Sequence, residues 1–263
     1  MIRLGVCGWP VAHSRSPRMH NAALRRLGLR DWHYQHLPVP PHLFAETVMA
    51  LPALSFRGVN ITIPHKEEAY ALADVATETA KAIGAANTLT FESGTIYADN
   101  TDASGFLGSL NTAVYGKTAL VLGAGGSARA ILYALRQGGV AELRVWNRSL
   151  ERAQALADEF QATVSTEPSD IIVNCTSIGL HDPESTFTAL PLRAADLGPG
   201  RTVVDMVYRH GGTVLLHTAR ARGAEVVDGL EILVAQGAAS LERWTGRTAP
   251  DETMRAAVAD IAC

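Results

Sequence analysis

Apolar residues return along the chain in two alternating rhythms. Short runs dense in Val, Ile and Leu are followed by longer stretches in which apolar residues recur every three or four positions. The first rhythm is that of a buried strand, the second that of a helix lying on it. "IRLGVCG" reads as a strand and "SPRMHNAALRRLG" as a helix closed by Gly28. "DWHYQHLPV" is a second strand, "PHLFAETVMALPAL" a helix, "FRGVNITI" a third strand and "PHKEEAYALA" another helix. "ANTLTFESGTIYAD" has the form of a hairpin with Ser93-Gly94 at its tip, and "NTDASGFLGSLNTAV" that of a helix.

A second series then begins. "KTALVLGAGGSARAILYALRQGG" is strand, glycine turn and helix. "AELRVWNRS" is strand and loop, and "LERAQALADEF" is a helix. "DIIVNCTS" and "GRTVVDMVY" are further strands, while "EILVAQGAASLERWTG" and "DETMRAAVADIAC" are helical. Alternating β and α elements predict an α/β fold with mostly parallel sheets and helices on both faces. Two such series, meeting near residue 102, predict two domains with a cleft between them. The final helices are free to pack on either one, which periodicity alone leaves open.

Composition narrows the class. At 263 residues and 47% hydrophobic content the chain can fill one large core or two. A net charge of −3 and a sequence pI near 6.3 give no electrostatic reason to expect nucleic acid. Cys7, Cys175 and Cys263 are widely spaced and odd in number, which suggests free thiols in a reducing, cytoplasmic compartment. No apolar run approaches the ~20 residues of a membrane span. A Gly-Trp-Pro turn interrupts the N-terminal apolar run too soon for a signal peptide. His33 and His36 would face opposite sides of a strand, and no histidine spacing points to a metal.

"LVLGAGGSARA" carries the sharpest chemical signal. Gly123, Gly125 and Ala128 match G-x-G-x-x-G/A between a strand and a helix. The first glycine permits the tight turn, the second lets a pyrophosphate approach the backbone, and alanine lets the helix pack close. A glycine turn without a ligand is the plainer alternative. An NAD site wants a carboxylate at the end of the next strand, whereas this chain has "VWNRSLER" there. Arg148 and Arg152, with Asn147 and Ser149, can grip a ribose 2′-phosphate, which favours NADP over NAD. Two arginines at a helix start can also be ordinary surface residues.

Four polar clusters precede that turn: "GWPVAHSRSPRMHN", "NITIPHK", "GAANTL" and "ADNTDASGF". Each lies where a strand ends, which is where open α/β sheets bind ligands. Ser14, Ser16, Asn60, Thr62, Asn87 and Asp102 suit a small polyhydroxylated molecule and need no metal. Ser14 and Ser16 can equally cap a helix before Pro17, and Asn60 can be a buried turn amide. Lys66 is the oddest residue here. Only 3 of the chain's 23 basic residues are lysine, and this one falls in a first helical turn, where the macrodipole disfavours a cation. The bland explanation is an exposed lysine paired with Glu67 or Glu68.

The chain resembles the shikimate dehydrogenase family of the aromatic amino-acid pathway from Gly8 to Gly246. Nine motifs carry the likeness in order: "GWPVAHSRSPRMHN", "GVNITIPHK", "GAANTL", "NTDASGF", "GAGGSARA", "NRSLERA", "NCTSIGL", "DMVYRHGGTVLL" and "DGLEILVAQGAASLERWTG". The resemblance implies reversible reduction of 3-dehydroshikimate to shikimate with NADPH. It implies a substrate domain over residues 1–101 and 238–263, and a Rossmann-type NADP domain over 102–237. Ser14, Ser16, Asn60, Thr62, Asn87, Asp102, Tyr208 and Gln236 would line the shikimate pocket, with Lys66 and Asp102 as the catalytic pair. The cofactor would meet Gly123, Ala124, Gly125, Gly126, Ser127, Asn147, Arg148, Ser149 and Arg152. Met206 and Gly229 would lie beside the nicotinamide, and Glu78 falls at another position linked to NADP. Homodimers are implied as well. From the residues alone, Tyr208 can instead cap a strand and Gln236 can be a helix-surface amide. Ala86, Cys175, Leu180 and His210 depart from the family's usual valine, alanine, methionine and proline.

A lysine in this pair has a physical reason. Ketone reduction builds negative charge on oxygen, which must gain a proton, and the reverse reaction must remove one. A cleft and a helix N-terminus both disfavour an ammonium, whereas Asp102 favours it and fixes its position. Arginine cannot take the part, because it stays protonated.

Overall fold

The structure is a computed structural model and describes residues 1–259. Cys263 and the last residues of the expected final helix lie outside the described residues. Its contacts divide the chain into two compact units, one over Met1–Gly105 with Leu233–Ala259, the other over Phe106–Ile232.

The first unit is built on β1 (Ile2–Gly8), α1 (Ser16–Arg26), β2 (Trp32–Pro38), α2 (Phe44–Ala50), β3 (Phe56–Ile61) and α3 (Lys66–Leu72). It continues through β4 (Val75–Ala76), α4 (Glu78–Ile83), β5 (Thr88–Glu92), β6 (Thr95–Asp99) and the first turn of α5 (Asp102–Ser109). The six strands form one sheet in the order β2-β1-β3-β5-β6-β4. This sheet is mixed: β5 runs antiparallel to both β3 and β6, and the other pairs are parallel. The hairpin is where the sequence placed it, with Ser93 and Gly94 both at positive φ, the backbone of a tight I′ turn. The helix expected over 41–54 is broken by its prolines into α2 between two short 3₁₀ turns.

The reversal of β5 matters for the site. It puts the start of β5 beside the ends of β3 and β6, with Asn60 opposite Thr88 and Thr88 opposite Asp99. Polar residues from four loops therefore meet at one edge of the sheet. Beneath them lies a core of Val59, Ile61, Leu89, Phe44, Ala69 and Ala98. Cys7 is part of this core, and burial, with a smaller push from Glu68, raises its thiol to about 12.

The second unit follows the alternating series closely. It holds β7 (Thr118–Leu122), α6 (Gly126–Gln137), β8 (Glu142–Trp146), α7 (Leu150–Phe160), β9 (Thr163–Val164) and β10 (Ile171–Asn174). After these come α8 (Thr186–Ala189), β11 (Thr202–Asp205), α9 (Val214–Ala221) and β12 (Glu225–Asp228). All six strands are parallel, in the order β12-β11-β10-β7-β8-β9. Counted from β7 this is 3-2-1-4-5-6, the doubly wound dinucleotide-binding order, and the strand order reverses between β7 and β10. The strands are apolar almost throughout, as a sheet covered on both faces requires.

Helix α10 (Gly229–Thr245) starts in the second unit and ends in the first, and α11 (Asp251–Val258) belongs wholly to the first. There, Trp244 Nε1 donates to Leu89 O at 3.1 Å, and Arg15 donates to Val258 O at 2.8 Å. The final helices thus pack on the first unit. Asp102 and Gln236, which the expected boundaries put with the NADP domain, also fall in the first unit, because their side chains bond within it. No helix among the described residues is long and apolar enough to cross a membrane.

Candidate active site

Asn87 is the hub of the first unit's polar edge. Only 2% exposed, it donates from Nδ2 to Thr101 Oγ1 (2.9 Å), Asp102 Oδ1 (2.9 Å) and Gln236 Oε1 (3.1 Å). Its Oδ1 accepts from Thr101 N at 2.8 Å and Thr88 Oγ1 at 3.0 Å. Both polar atoms of the amide are engaged, and an unpaired member of such a network would cost about 1–3 kcal/mol.

Lys66 opens α3 and is buried, at 8% exposure. Its Nζ lies 2.6 Å from Asp102 Oδ2. Glu67 and Glu68 are exposed, so the surface-lysine reading fails. Its backbone is fixed from both sides. His65 N donates to Thr62 O at 3.0 Å, and Ala86 N donates to Lys66 O at 2.8 Å. The His65 ring is buried against Phe44, centroids 4.3 Å apart, with Nε2 2.7 Å from Val39 O. Asp102 N donates to Asn100 Oδ1 at 3.1 Å, which sets the start of α5. The pair is thus held where a substrate oxygen can meet both an amine and a carboxylate.

Thr62 follows the end of β3, half-buried, and its hydroxyl has no hydrogen-bond partner among the described residues. Ser14 Oγ donates to Ser16 Oγ at 3.2 Å and accepts from Ser16 N at 3.3 Å. α1 has no side-chain cap, so these serines are a local turn with hydroxyls to spare and not an N-cap pair. His36 braces that turn through Ser14 O at 3.0 Å. Gln236 is buried, which removes the helix-surface reading.

Asn60 is corrected. Its Oδ1 accepts from Tyr34 OH (2.8 Å), and its Nδ2 reaches Ser240 Oγ (2.9 Å), Asn87 O (3.1 Å) and Thr88 Oγ1 (3.3 Å). Both amide hydrogens are taken within the protein, which fits the buried-amide alternative. Glu78 is a separate case. It is a first-turn residue of α4 in the first unit, exposed, with Lys81 Nζ 2.8 Å from its carboxylate. Among the described residues no group of three or more His, Cys, Asp or Glu is arranged to hold a metal ion.

Ser240 was not expected. Fully buried, it lies 2.8 Å from Thr88 Oγ1 and 3.2 Å from Thr101 Oγ1, besides Asn60. The signal was present, since Ser240 stands four residues after Gln236 on one face of a helix. What the sequence could not give is that this face meets "GAANTL".

In the second unit the glycine turn is built as its pattern requires. Gly123 has φ +117, and a Cβ there would lie 3.2 Å from the Cys175 backbone. Gly125 is extended at the N-cap of α6, and a Cβ added to it would meet nothing within 4 Å. Ala128 is wholly buried. Ser149 caps α7 by accepting from Arg152 N at 3.4 Å. The Arg152 guanidinium donates to Ala124 O at 3.0 Å, which ties it to the glycine turn. Asn147 holds the Ser149 carbonyl at 3.1 Å, while Arg148 is exposed, with no partner among the described residues. Open space at Gly125, the N-terminus of α6 and two exposed arginines beside it fit the pyrophosphate and 2′-phosphate of NADP. Met206 and Tyr208 follow β11 and Gly229 opens α10. A Cβ at Gly229 would stand 2.7 Å from Met206 O, so glycine is needed for this approach.

Known proteins resemble this chain over nearly its whole length. Residues 6–89 match the shikimate dehydrogenase substrate binding domain, and 108–177 the shikimate / quinate 5-dehydrogenase family. Residues 229–259 match the shikimate 5'-dehydrogenase C-terminal domain. The chain is 45% identical over 271 aligned positions to a shikimate dehydrogenase (NADP(+)) of Paracoccus denitrificans, covering 97% of this chain and 94% of that one. The crystal structure of shikimate 5-dehydrogenase from Thermus thermophilus in complex with NADP(H) and shikimate superposes with a TM-score of 0.87. It is 40% identical, and 98% of each chain is covered. A ligand-free 5-ketofructose reductase of Gluconobacter sp. strain CHM43 has a TM-score of 0.84 at 33% identity, with 97% of both chains covered.

Proposed function

The chain belongs to the shikimate dehydrogenase family, and we propose that it reduces 3-dehydroshikimate to shikimate, reversibly, with NADPH. The observation that carries the chemistry is the buried contact of Lys66 with Asp102 at 2.6 Å, inside a network of hydroxyls and amides. NADPH, when bound, supplies the hydride. The protein's own residues manage the proton and the orientation.

As negative charge grows on the carbonyl oxygen, Lys66 Nζ gives it a proton. In the oxidative direction the same nitrogen takes the hydroxyl proton. General acid–base catalysis of this kind is worth about 10²–10⁴-fold. Asp102 keeps Nζ in place through Oδ2, while Asn87 holds Oδ1, so the carboxylate cannot swing away. Ser14, Ser16 and Thr62 offer hydroxyls to the substrate's carboxylate and alcohols. Asn87 and Gln236 form the polar floor, and Tyr208 is assigned to the substrate on the family resemblance alone. Gly123 to Ser127, with Asn147, Arg148, Ser149 and Arg152, would hold the dinucleotide. The substrate domain is taken as the first unit and the NADP domain as the second. A homodimer and a cytoplasmic location complete the proposal. They rest on the family and on the thiols Cys7 and Cys175, neither of which is in a disulfide.

The test is spectrophotometric. Protein, shikimate and NADP⁺ should generate the absorbance of reduced nicotinamide, with kcat/KM for NADP⁺ well above that for NAD⁺. Quinate with NAD⁺ as the better pair, or turnover of a different polyol or ketose alone, would replace the substrate assignment. The similar 5-ketofructose reductase makes that arm worth running.

A further inference from the structure

The second unit's sheet ends in a polar row that no part of the proposed proton chemistry uses. Asn174, Asp205 and Asp228 are the last residues of β10, β11 and β12, and they stand side by side in register. In a doubly wound sheet of this order, the second mononucleotide half of a dinucleotide lies over the carboxyl ends of these three strands. Met206 directly follows Asp205, and Gly229 directly follows Asp228.

Asp205 is only 1% exposed. Its Oδ1 accepts from Asn174 Nδ2 at 2.9 Å and from the Val207 N–H at 3.0 Å, and the Thr213 side chain is a third partner. Asp228 faces it from the next strand as a like charge. Burial outweighs the three partners and pushes the Asp205 carboxyl up to about 6. The charge is therefore carried at neutral pH against the preference of its surroundings. Local structure does not demand it. A neutral amide of the same shape would keep one oxygen for Asn174 and Val207 and could donate to the Thr213 hydroxyl, which itself accepts from Leu216 N at 3.3 Å. A buried charge that the fold could replace by a neutral isostere, at a ligand-binding strand end, calls for a reason outside the fold.

The two redox forms of the cofactor supply one. The nicotinamide ring carries a positive charge when oxidised and none when reduced. We propose that the carboxylate charge of this row, carried by Asp205 with Asp228 beside it, makes the protein hold oxidised NADP more tightly relative to reduced NADP than the same site would without that charge. In the direction of ketone reduction such a bias helps the ring to give up hydride. The proposal rests on the NADP reading above. The groups in the row act through the field alone and are not catalytic residues.

Calorimetric titration of the whole chain with NADP⁺ and, separately, with NADPH tests it without turnover. Asp205→Asn should weaken NADP⁺ by about tenfold and change NADPH by less than about twofold. Asp228→Asn should shift the ratio of the two dissociation constants in the same sense by a smaller factor, and it decides the matter should Asp205→Asn not fold. Equal weakening of both forms would mean a purely structural role, and an unchanged ratio in the folded variants would mean no field effect. Either result overturns the proposal. Failure of the unaltered protein to bind either dinucleotide would overturn the NADP reading itself, and this inference with it.

Discussion

The two units present ligands with opposite materials. At the edge of the first, nearly every recognition group is a side chain, and the central ones are buried and bonded to one another. At the edge of the second, the recognition proposed falls to backbone amides, absent side chains at glycine, and arginines that remain in solvent. The difference follows the ligands proposed for them. A small rigid molecule with several hydroxyls is told from its isomers only by groups that cannot move, and burial in a closed network immobilises them. A long, doubly charged pyrophosphate needs close approach of the main chain and mobile counter-charges more than it needs a fixed wall.

The sharpest way to break this contrast is at Lys66. Lys66→Arg should keep dinucleotide affinity, measured by quenching or transfer of fluorescence on NADPH titration, and lower kcat by about 10²–10⁴-fold. Near-normal turnover in that variant would refute the proton-exchange role. The counterpart in the second unit is Gly123→Ala, which puts a Cβ on a backbone at φ +117. Strain of about 1–3 kcal/mol should raise the NADPH dissociation constant by roughly ten- to a hundredfold and leave shikimate binding alone. Loss of shikimate binding in that variant would mean that the two edges are not energetically separate.

A third test, with the smallest effect, sharpens the point that burial serves different ends in each. The Asp205 carboxyl is raised from an ordinary 3.8 to about 6. A group whose folded value is raised stabilises the fold fully below its unfolded value, and that contribution is lost as pH rises through the folded one. Relative to the unaltered protein, Asp205→Asn should therefore gain stability as pH climbs from about 4 to about 7, by up to ~2 kcal/mol. Thermal melts across that range would show it, and a variant that loses ground with rising pH contradicts the assigned direction.

The second unit is nearly readable from its sequence, because a parallel sheet covered on both faces writes each strand as an unbroken apolar run. Even so, α9 and β12 escape notice: Arg and Glu interrupt "TVLLHTARARGAEVVD", and the edge strand is only half apolar. In the first unit the order of elements is legible but the sheet's mixed direction is not, since nothing in "ANTLTFESGTIYAD" says that its hairpin inserts beside β3 and turns β5 around. Most of the polar motif residues of the first unit do gather at one edge, yet their division of labour is hidden in the sequence. Asn60 and Thr62 look equivalent in "NITI", but the strand's end sends one into the network and leaves the other's hydroxyl free. Ser240 and Asp205 escape for the same reason, each gaining its meaning from a neighbour far along the chain.

The β5–β6 hairpin has a practical use. Its open end joins Asn87 to Asp102, while its tip, Ser93-Gly94, lies at the far end of both strands, roughly 17 Å away at strand rise. The tip is solvent-facing and makes no bond to the network, so a peptide tag or a fluorophore could be spliced in there. A reporter at that point would ride on the same two strands that carry the hub, without touching any group a ligand needs.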